Sequence, residues 1–333
     1  MNAVAAERQP GFDDLRQAAE WFAALQDECA TEVDRQAWQR WMEGGPGQRA
    51  AWQKVQDVAA DMQGLARVPA RQVLEGRARL GSRRRGVLRA LAVLPVGGAA
   101  AWLAHRQLAW SGWTAAHRTE VGERREIVLA DGGSLWLNTG SAADVDYPAD
   151  LRRVVLYSGE LLLTTAHDTA QPARPMVVDV EHARLRALGT RFAVRHEDGG
   201  SVRLTVFEGA VEASPAAGSP RTVRAGEQAR VSRDRVEGLG NAPQQGDGWT
   251  RGVLVADRMR LGDFIADLAR YRPGYLACAG SVADLRIVGA YPLGTLADTD
   301  RVLDALQATL PVQVRRTLPW WVMVDAASGA SGR

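Results

Sequence analysis

The strongest constraint on this chain is a run of fifteen residues, 90–104 (ALAVLPVGGAAAWLA), without one charge. As a helix, fifteen residues reach only about 22 Å, short of the roughly 30 Å hydrocarbon core of a bilayer. Extending the run back to Val87 gives eighteen residues. Arg89 then lies near enough to the end to snorkel. Arg83, Arg84 and Arg85 precede the run, and Trp102, Trp110 and Trp113 mark its far side. Basic residues on one flank and interfacial tryptophans on the other predict a single membrane span over 87–106. A buried Ala-rich core helix is the alternative, and the flanks weigh against it. Pro95 and Gly97-Gly98 are tolerated better in a membrane helix than in a soluble one.

Charge sets the expected direction of crossing. The whole chain is nearly neutral, with 41 basic residues against 39 acidic, but the distribution is uneven. Residues 1–61 hold six basic and eleven acidic groups, whereas 62–90 hold eight Arg against Glu75 alone. Concentrated Arg before the apolar run predicts a cytoplasmic N-terminus and an exported C-terminal two-thirds, periplasmic in a Gram-negative cell. Arg84-Arg85 also reads as a twin-arginine export pair. Residues 1–30 show no apolar stretch of the kind a cleavable signal peptide needs. Two cysteines, Cys29 and Cys278, exclude a disulfide framework and a structural zinc cluster. The expected topology separates the two across the membrane.

Before the basic linker (63–86), residues 1–62 read as a small all-α head. Leu15, Ala18, Ala19, Phe22 and Leu25 recur at helical spacing, with Trp21 beside them. Thr31-Glu32-Val33-Asp34 resembles a capping box opening a second helix with Ala37, Trp38 and Trp41, which Gly44-Gly45-Pro46-Gly47 ends. A third helix, about 48–62, presents Ala51, Val55, Val58 and Met62. Four tryptophans (Trp21, Trp38, Trp41 and Trp52) are many for so small a core, and tryptophan is enriched where proteins meet. An acidic head repels phosphate, so protein rather than nucleic acid is the expected partner.

Beyond the run, residues 113–237 carry short apolar segments between Gly, Asp, Asn and Pro. Ile127–Leu129, Leu135–Leu137, Val154–Tyr157, Leu161–Leu163, Met176–Val180, Phe192–Val194, Val202–Phe207 and Val211 read as strands of an all-β sandwich or stack. A linker at 238–248 leads to an α+β module at 249–326. There Leu261, Phe264, Ile265 and Leu268 make one apolar helix face, and Val302, Leu303, Leu306 and Leu310 another. Strands are expected at Val253–Val255, Leu285–Val288, Val312–Val314 and Trp321–Val324.

In this order the motifs resemble the FecR family of inner-membrane regulators. Gln48-Arg49-Ala50-Ala51-Trp52 is close to the family's His-Arg-x-Ala-aromatic motif, with Gln48 in place of the usual His. Leu129 to Ser134, Leu137-Asn138-Thr139-Gly140-Ser141, Gly159-Glu160, Leu188 to Val194, Glu208-Gly209-Ala210-Val211 and Ala225-Gly226-Glu227-Gln228 match the family's β-domain, though one extra Gly interrupts the usual Asp-Gly-Ser. The C-terminal module resembles the family's STN-like domain. The resemblance implies a relay. The signalling domain of a TonB-dependent outer-membrane transporter, loaded with a ferric chelate, would meet the C-terminal domains, at Leu261, Phe264, Leu268 and Tyr271. The head, through Trp21, Trp38, Trp41 and Trp52, would hold an extracytoplasmic-function sigma factor, and a site-2 protease would cut within the membrane.

Some family members resemble proteins that cleave themselves at the Gly189-Thr190 pair. Here Gly189 can take strained angles, and the Thr190 hydroxyl could attack the Gly189 carbonyl in an N→O acyl shift, with His182 or His196 as base. A packed Gly turn entering a strand is the alternative. No cofactor or metal is implied. The five histidines lack any metal-ligand spacing, and neither HExxH nor GxSxG occurs, which leaves little for an enzyme acting on an external substrate. The competing class is a membrane-anchored scaffold or envelope-binding protein with no sigma-factor role.

Overall fold

Seven of the thirteen connections in the β-region are corners at which the chain leaves one sheet and joins another. This arrangement comes from a computed structural model, which describes residues 10–26, 31–66 and 115–327. Those residues divide into two compact units, one of 77–253 and one combining 1–76 with 254–333. The expected span at 87–106 lies outside the described residues. Among the described residues, no helix is long and apolar enough to cross a membrane.

Among its described residues the β-unit has fourteen strands in two seven-stranded sheets: β1 (His117–Arg118), β2 (Arg125–Val128), β3 (Ser134–Leu137), β4 (Ala142–Asp146), β5 (Arg152–Ser158), β6 (Glu160–Thr164), β7 (Met176–Val180), β8 (Ala183–Ala187), β9 (Arg191–His196), β10 (Val202–Glu208), β11 (Ala210–Pro215), β12 (Arg221–Arg224), β13 (Glu227–Val231) and β14 (Val236–Asn241). The sheet orders are β1-β4-β5-β7-β8-β11-β12 and β14-β13-β10-β9-β6-β3-β2. Of the two expectations, sandwich and stack, it is the sandwich that forms. Inward residues of both sheets, such as Leu156, Val178, Leu185 and Val211 from one and Leu135, Leu163, Phe192 and Leu204 from the other, fill one core. Alternation along each strand decides which residues enter it.

The chain changes sheet after β1, β3, β5, β6, β8, β10 and β12, and a glycine with positive φ stands at every one of these corners but that after β6: Gly122, Gly140, Gly159, Gly189, Gly209 and Gly226. Two of them also need the absence of a side chain. A Cβ on Gly159 would sit 2.6 Å from the Ser141 Cα, and one on Gly209 would sit 2.1 Å from the Gly189 carbonyl oxygen. The Gly-Glu and Glu-Gly-Ala motifs are therefore corner pieces. Beneath the Gly159 corner lies a buried polar knot. Asn138 Nδ2 donates to Glu160 Oε2 at 2.8 Å, and the Glu160 amide donates to Ser141 Oγ at 2.9 Å. The Ser141 amide in turn donates to Thr119 Oγ1 at 2.9 Å.

In the second unit the head is three helices, α1 (Phe12–Gln26), α2 (Glu32–Glu43) and α3 (Pro46–Ala66). Thr31 and Asp34 form the expected capping box. The C-terminal module contains β15 (Val253–Arg260), α4 (Leu261–Ala269), β16 (Tyr275–Cys278), β17 (Arg286–Pro292), α5 (Leu296–Thr309), β18 (Val312–Leu318) and β19 (Trp321–Ala326). β15 pairs with β17, and β16-β19-β18 form a three-stranded sheet. The strand β16 was not expected; Pro273-Gly274 reads as a break after α4, and the four-residue strand that follows is too short to show a period. Cys278, at its end, is a free thiol that burial pushes up to about 11. At pH 8 only about a thousandth of it is thiolate, against roughly a quarter for an ordinary thiol. Cys278 should therefore react with iodoacetamide at least a hundredfold more slowly than free cysteine, and faster as pH rises toward 11.

Candidate functional site

Three places carry the residues singled out above. The first is the face of α1 and α3. Leu15, Ala18, Ala19, Ala51 and Val55 are buried there in one cluster with Trp321 and Met323 of β19, and Phe22, Trp41, Trp52 and Trp320 pack around it. Rings run through it in series: Trp38 to Trp52 at 5.1 Å, Trp52 to Phe22 at 5.9 Å, Phe22 to Trp320 at 5.8 Å, and Trp320 to Trp321 at 6.0 Å. Trp321 stacks on Tyr275 at 4.1 Å. These separations fall close to the range in which aromatic pairs attract beyond their buried area. The Trp41 indole donates to Gln17 Oε1 at 2.7 Å, whereas the buried Trp38 Nε1 has no partner among the described residues. All four head tryptophans, Trp21 included, are half-buried. They thus complete the small core and still show part of each ring.

The second is α4 of the C-terminal module. Leu261, Phe264 and Leu268 are fully buried and Tyr271 nearly so. The spacing that marked them is that of a helix packed on its own domain, and none offers a side chain to a partner. What the module turns outward from its three-stranded sheet is the face with Trp321 and Met323. Val322 and Val324, alternating with them, lie on the other side of that sheet.

The third is the Gly189-Thr190 corner. It opens on a cleft of about 410 Å³ whose lining includes Arg152, Thr165, His167, Asp168 and Glu208. Gly189 has φ +74° with open space where a Cβ would be. The Thr190 amide donates to Thr165 Oγ1 at 2.9 Å, and the Thr190 carbonyl accepts from the Thr165 amide at 3.0 Å. The Thr190 hydroxyl is buried and has no hydrogen-bond partner among the described residues. Neither expected base lines the cleft. His196 closes β9, five residues and so about 16 Å along the strand from Arg191, and its Nε2 lies 3.2 Å from the Leu156 carbonyl oxygen. Burial lowers its affinity for a proton. His182 stands at the β7–β8 turn beside Glu181. Sequence proximity pointed to these two, but the histidine that shares the cleft is His167. Beside it, Asp168 is held well below the usual carboxylate range, chiefly by hydrogen bonds from Arg174. Among the described residues no cluster of three or more metal-ligating side chains forms.

These features define a class: a helical, aromatic head with a two-sheet β-domain whose signature residues build corners. Residues 115–212 match the family model described as FecR protein, and residues 16–58 match the Domain of unknown function DUF4880. The chain therefore carries a FecR domain behind a DUF4880 head, as its motifs indicated. Two solved structures of a provisionally assigned anti-sigma factor from Parabacteroides distasonis ATCC 8503 share the fold. Each is 22% identical and covers 64% of this chain, with TM-scores of 0.52 and 0.51 over 99% and 98% of its own length. A search of curated proteins returned no significant match.

Proposed function

We propose that this chain is a transmembrane anti-sigma regulator. Its head binds an extracytoplasmic-function sigma factor in the cytoplasm, and its exported domains receive a signal from a TonB-dependent outer-membrane transporter, for genes of ferric-siderophore uptake. The observation that carries this reading is the order of parts. A DUF4880 head and a FecR domain stand on either side of an apolar run flanked by Arg83–Arg85 and Trp102. The anti-sigma role assigned to the Parabacteroides protein of the same fold supports it. A regulator needs no catalysis, only a partner that binds two of its states unequally. The test is capture of an extracytoplasmic-function sigma factor from the host's lysate by the full-length tagged chain. Retention of no sigma factor would leave the scaffold reading in its place.

Within this reading the Gly189-Thr190 corner is a self-cleavage site. Thr190 Oγ1 adds to the Gly189 carbonyl carbon and passes its proton to a base, the C–N bond breaks, and the nitrogen leaves as an amine after taking a proton. Water then opens the ester to a Gly189 carboxylate and a free Thr190 hydroxyl. An unpartnered hydroxyl is suited to this, since no hydrogen bond must be given up before attack. Thr190→Ala should leave one full-length band where the wild type gives two. His167→Ala should slow the appearance of the fragments, and His182→Ala should not. A single wild-type band would end the proposal. The topology adds that the fragments stay together. The break separates β1–β8 from β9–β14, and each sheet still joins the two pieces by a full ladder, β8 to β11 in one and β6 to β9 in the other. The two fragments should co-elute in native buffer and separate only in denaturant.

A further inference from the structure

The outer face of the sheet that holds β9 is covered. Along it Trp136, Leu162, Ala193 and Thr205 are cross-strand neighbours on β3, β6, β9 and β10. They alternate with core residues such as Leu135, Leu163, Val194 and Leu204, and so point away from the space between the sheets. Yet Leu162, Ala193 and Thr205 keep only 2%, 4% and 7% of their surface exposed. The chain after β14 accounts for this. Residues 242–252 belong to the β-unit and are fixed at three places across the sheet. Near the end of β10, a Cβ on Gly246 would lie 3.6 Å from the Phe207 ring. Asp247 forms an ion pair with Arg191 at the start of β9, and the Trp249 carbonyl accepts from Arg124, just before β2, at 3.0 Å. In the order β10-β9-β6-β3-β2, a strap with those fixings passes over β6 and β3, and Trp249, itself buried, is its anchor.

We propose that Asp247 is a positioning residue for the Gly189-Thr190 corner, and that the strap holds the corner in its cleavage geometry through Arg191. The inference rests on the self-cleavage given under Proposed function and names what positions that site. Arg191 directly follows Thr190 in the chain. Its guanidinium lies over the Phe207 ring at 5.2 Å and is held there by the Asp247 carboxylate. Asp247 stands at the N-terminus of a single 3-10 turn, Gly248–Arg251, where a carboxylate can cap the turn's own amides. Its side chain makes no such bond and turns to Arg191 instead. A misplacement of about 1 Å costs as much as about a hundredfold in rate, so a fixed Arg191 keeps Thr190 in place against the Gly189 carbonyl. The seat of the strap is not a deep one. The Trp249 indole N–H is buried without a partner among the described residues, and an unpaired donor offsets part of what burying the ring gains. Val253 opens β15 directly after the strap, which ties the corner to the chain entering the next module.

The test follows fragment formation at Gly189-Thr190 in the full-length chain, beside urea unfolding of the same variants. Asp247→Asn removes the charge and keeps the shape, and should slow the fragments about tenfold or more. Arg124→Ala frees the far end of the strap without touching the cleft, and should slow them about threefold or more. Glu197→Gln is the control. It too removes a largely buried carboxylate, one that pairs with Arg203 and Arg230, but just beyond the other end of β9. It should lower the urea midpoint and leave the cleavage rate within about twofold of wild type. Equal slowing in Asp247→Asn and Glu197→Gln would make Asp247 a stabilising residue only, and overturns the proposal. Wild-type cleavage in folded Asp247→Asn or in folded Arg124→Ala overturns it too. If Asp247→Asn does not fold, Arg124→Ala against Glu197→Gln decides. A wild-type chain that stays in one band removes the self-cleavage reading itself and this proposal with it, a result distinct from these.

Discussion

Gly159→Ala should cost the β-domain about 4 kcal/mol or more, while Gly226→Ala should cost only about 1–2 kcal/mol. Both glycines stand at corners between the two sheets and both have positive φ, +81° and +82°. The left-handed backbone penalty is therefore common to the two. They differ in what a methyl group would meet. At Gly226 there is nothing within 4 Å. At Gly159 the methyl would sit 2.3 Å from Ser141 Oγ and 2.6 Å from Ser141 Cα. The Ser141 hydroxyl cannot swing away cheaply, because it donates to the Glu160 carbonyl at 3.0 Å and accepts from the Glu160 amide. To admit the methyl, the knot of Thr119, Asn138, Ser141 and Glu160 must open, and buried polar groups left unpaired add their own cost. Calorimetry of the two variants checks this. The β-domain transition should fall by roughly 15 °C in one and by only a few degrees in the other. Equal shifts would mean that the corner costs only backbone strain.

The corners also show where a sequence speaks and where it falls silent. Strands such as β3, β5 and β9 were legible because large apolar residues alternate or run together in them. β8 was not, since Arg184 and Arg186 flank the single inward Leu185. β4 was missed because its most deeply buried inward residue is only Ala143, between Ala142 and Asp144. β12 is marked by one buried residue, Val223, among exposed neighbours. Pattern reading depends on the size of what is buried, and these strands bury little. In the head, the capping box at Thr31 and the Ala-rich stripes were sufficient to place all three helices.

The sites were legible unevenly for a related reason. Apolar residues at i, i+3, i+4 and i+7 describe a face that is buried, and the pattern does not say against what. For Leu261, Phe264 and Leu268 the answer is their own domain. Trp321 read as the start of a closing strand, although its side chain, with that of Trp320, belongs to the module's outward surface. The pairing of β19 with β16 sets that orientation, and β16 is the strand the sequence did not show. His167 was passed over for the same kind of reason, because it reaches the Thr190 cleft through the β6–β7 loop and not along the chain.

One side chain ties that loop to β5, and removing it should have the second large effect. Arg152 on β5 is nearly buried, and its guanidinium reaches three groups. Nη1 donates to Asp131 Oδ2 at 2.6 Å and to the Ala166 carbonyl at 3.0 Å, and Nε donates to the Arg174 carbonyl at 3.1 Å. The side chains of Arg152 and Asp131 keep only 9% and 3% of their surface exposed. Arg152→Ala would leave the Asp131 carboxylate buried without its counter-charge, and breaking such a pair costs about 3–5 kcal/mol. Replacing both, as Asp131→Leu with Arg152→Leu, should return much of that loss, because no lone charge then remains buried. The double variant would still release the loop at Ala166 and Arg174, the stretch that carries His167 and Asp168 to the cleft beside Thr190. Urea unfolding separates the two consequences from each other. The single variant should fall well below wild type in midpoint and the double variant should recover, while fragment formation at Gly189-Thr190 stays slow in both. A double variant as unstable as the single one would show that the backbone hydrogen bonds of Arg152, and not its ion pair, hold this end of the sandwich.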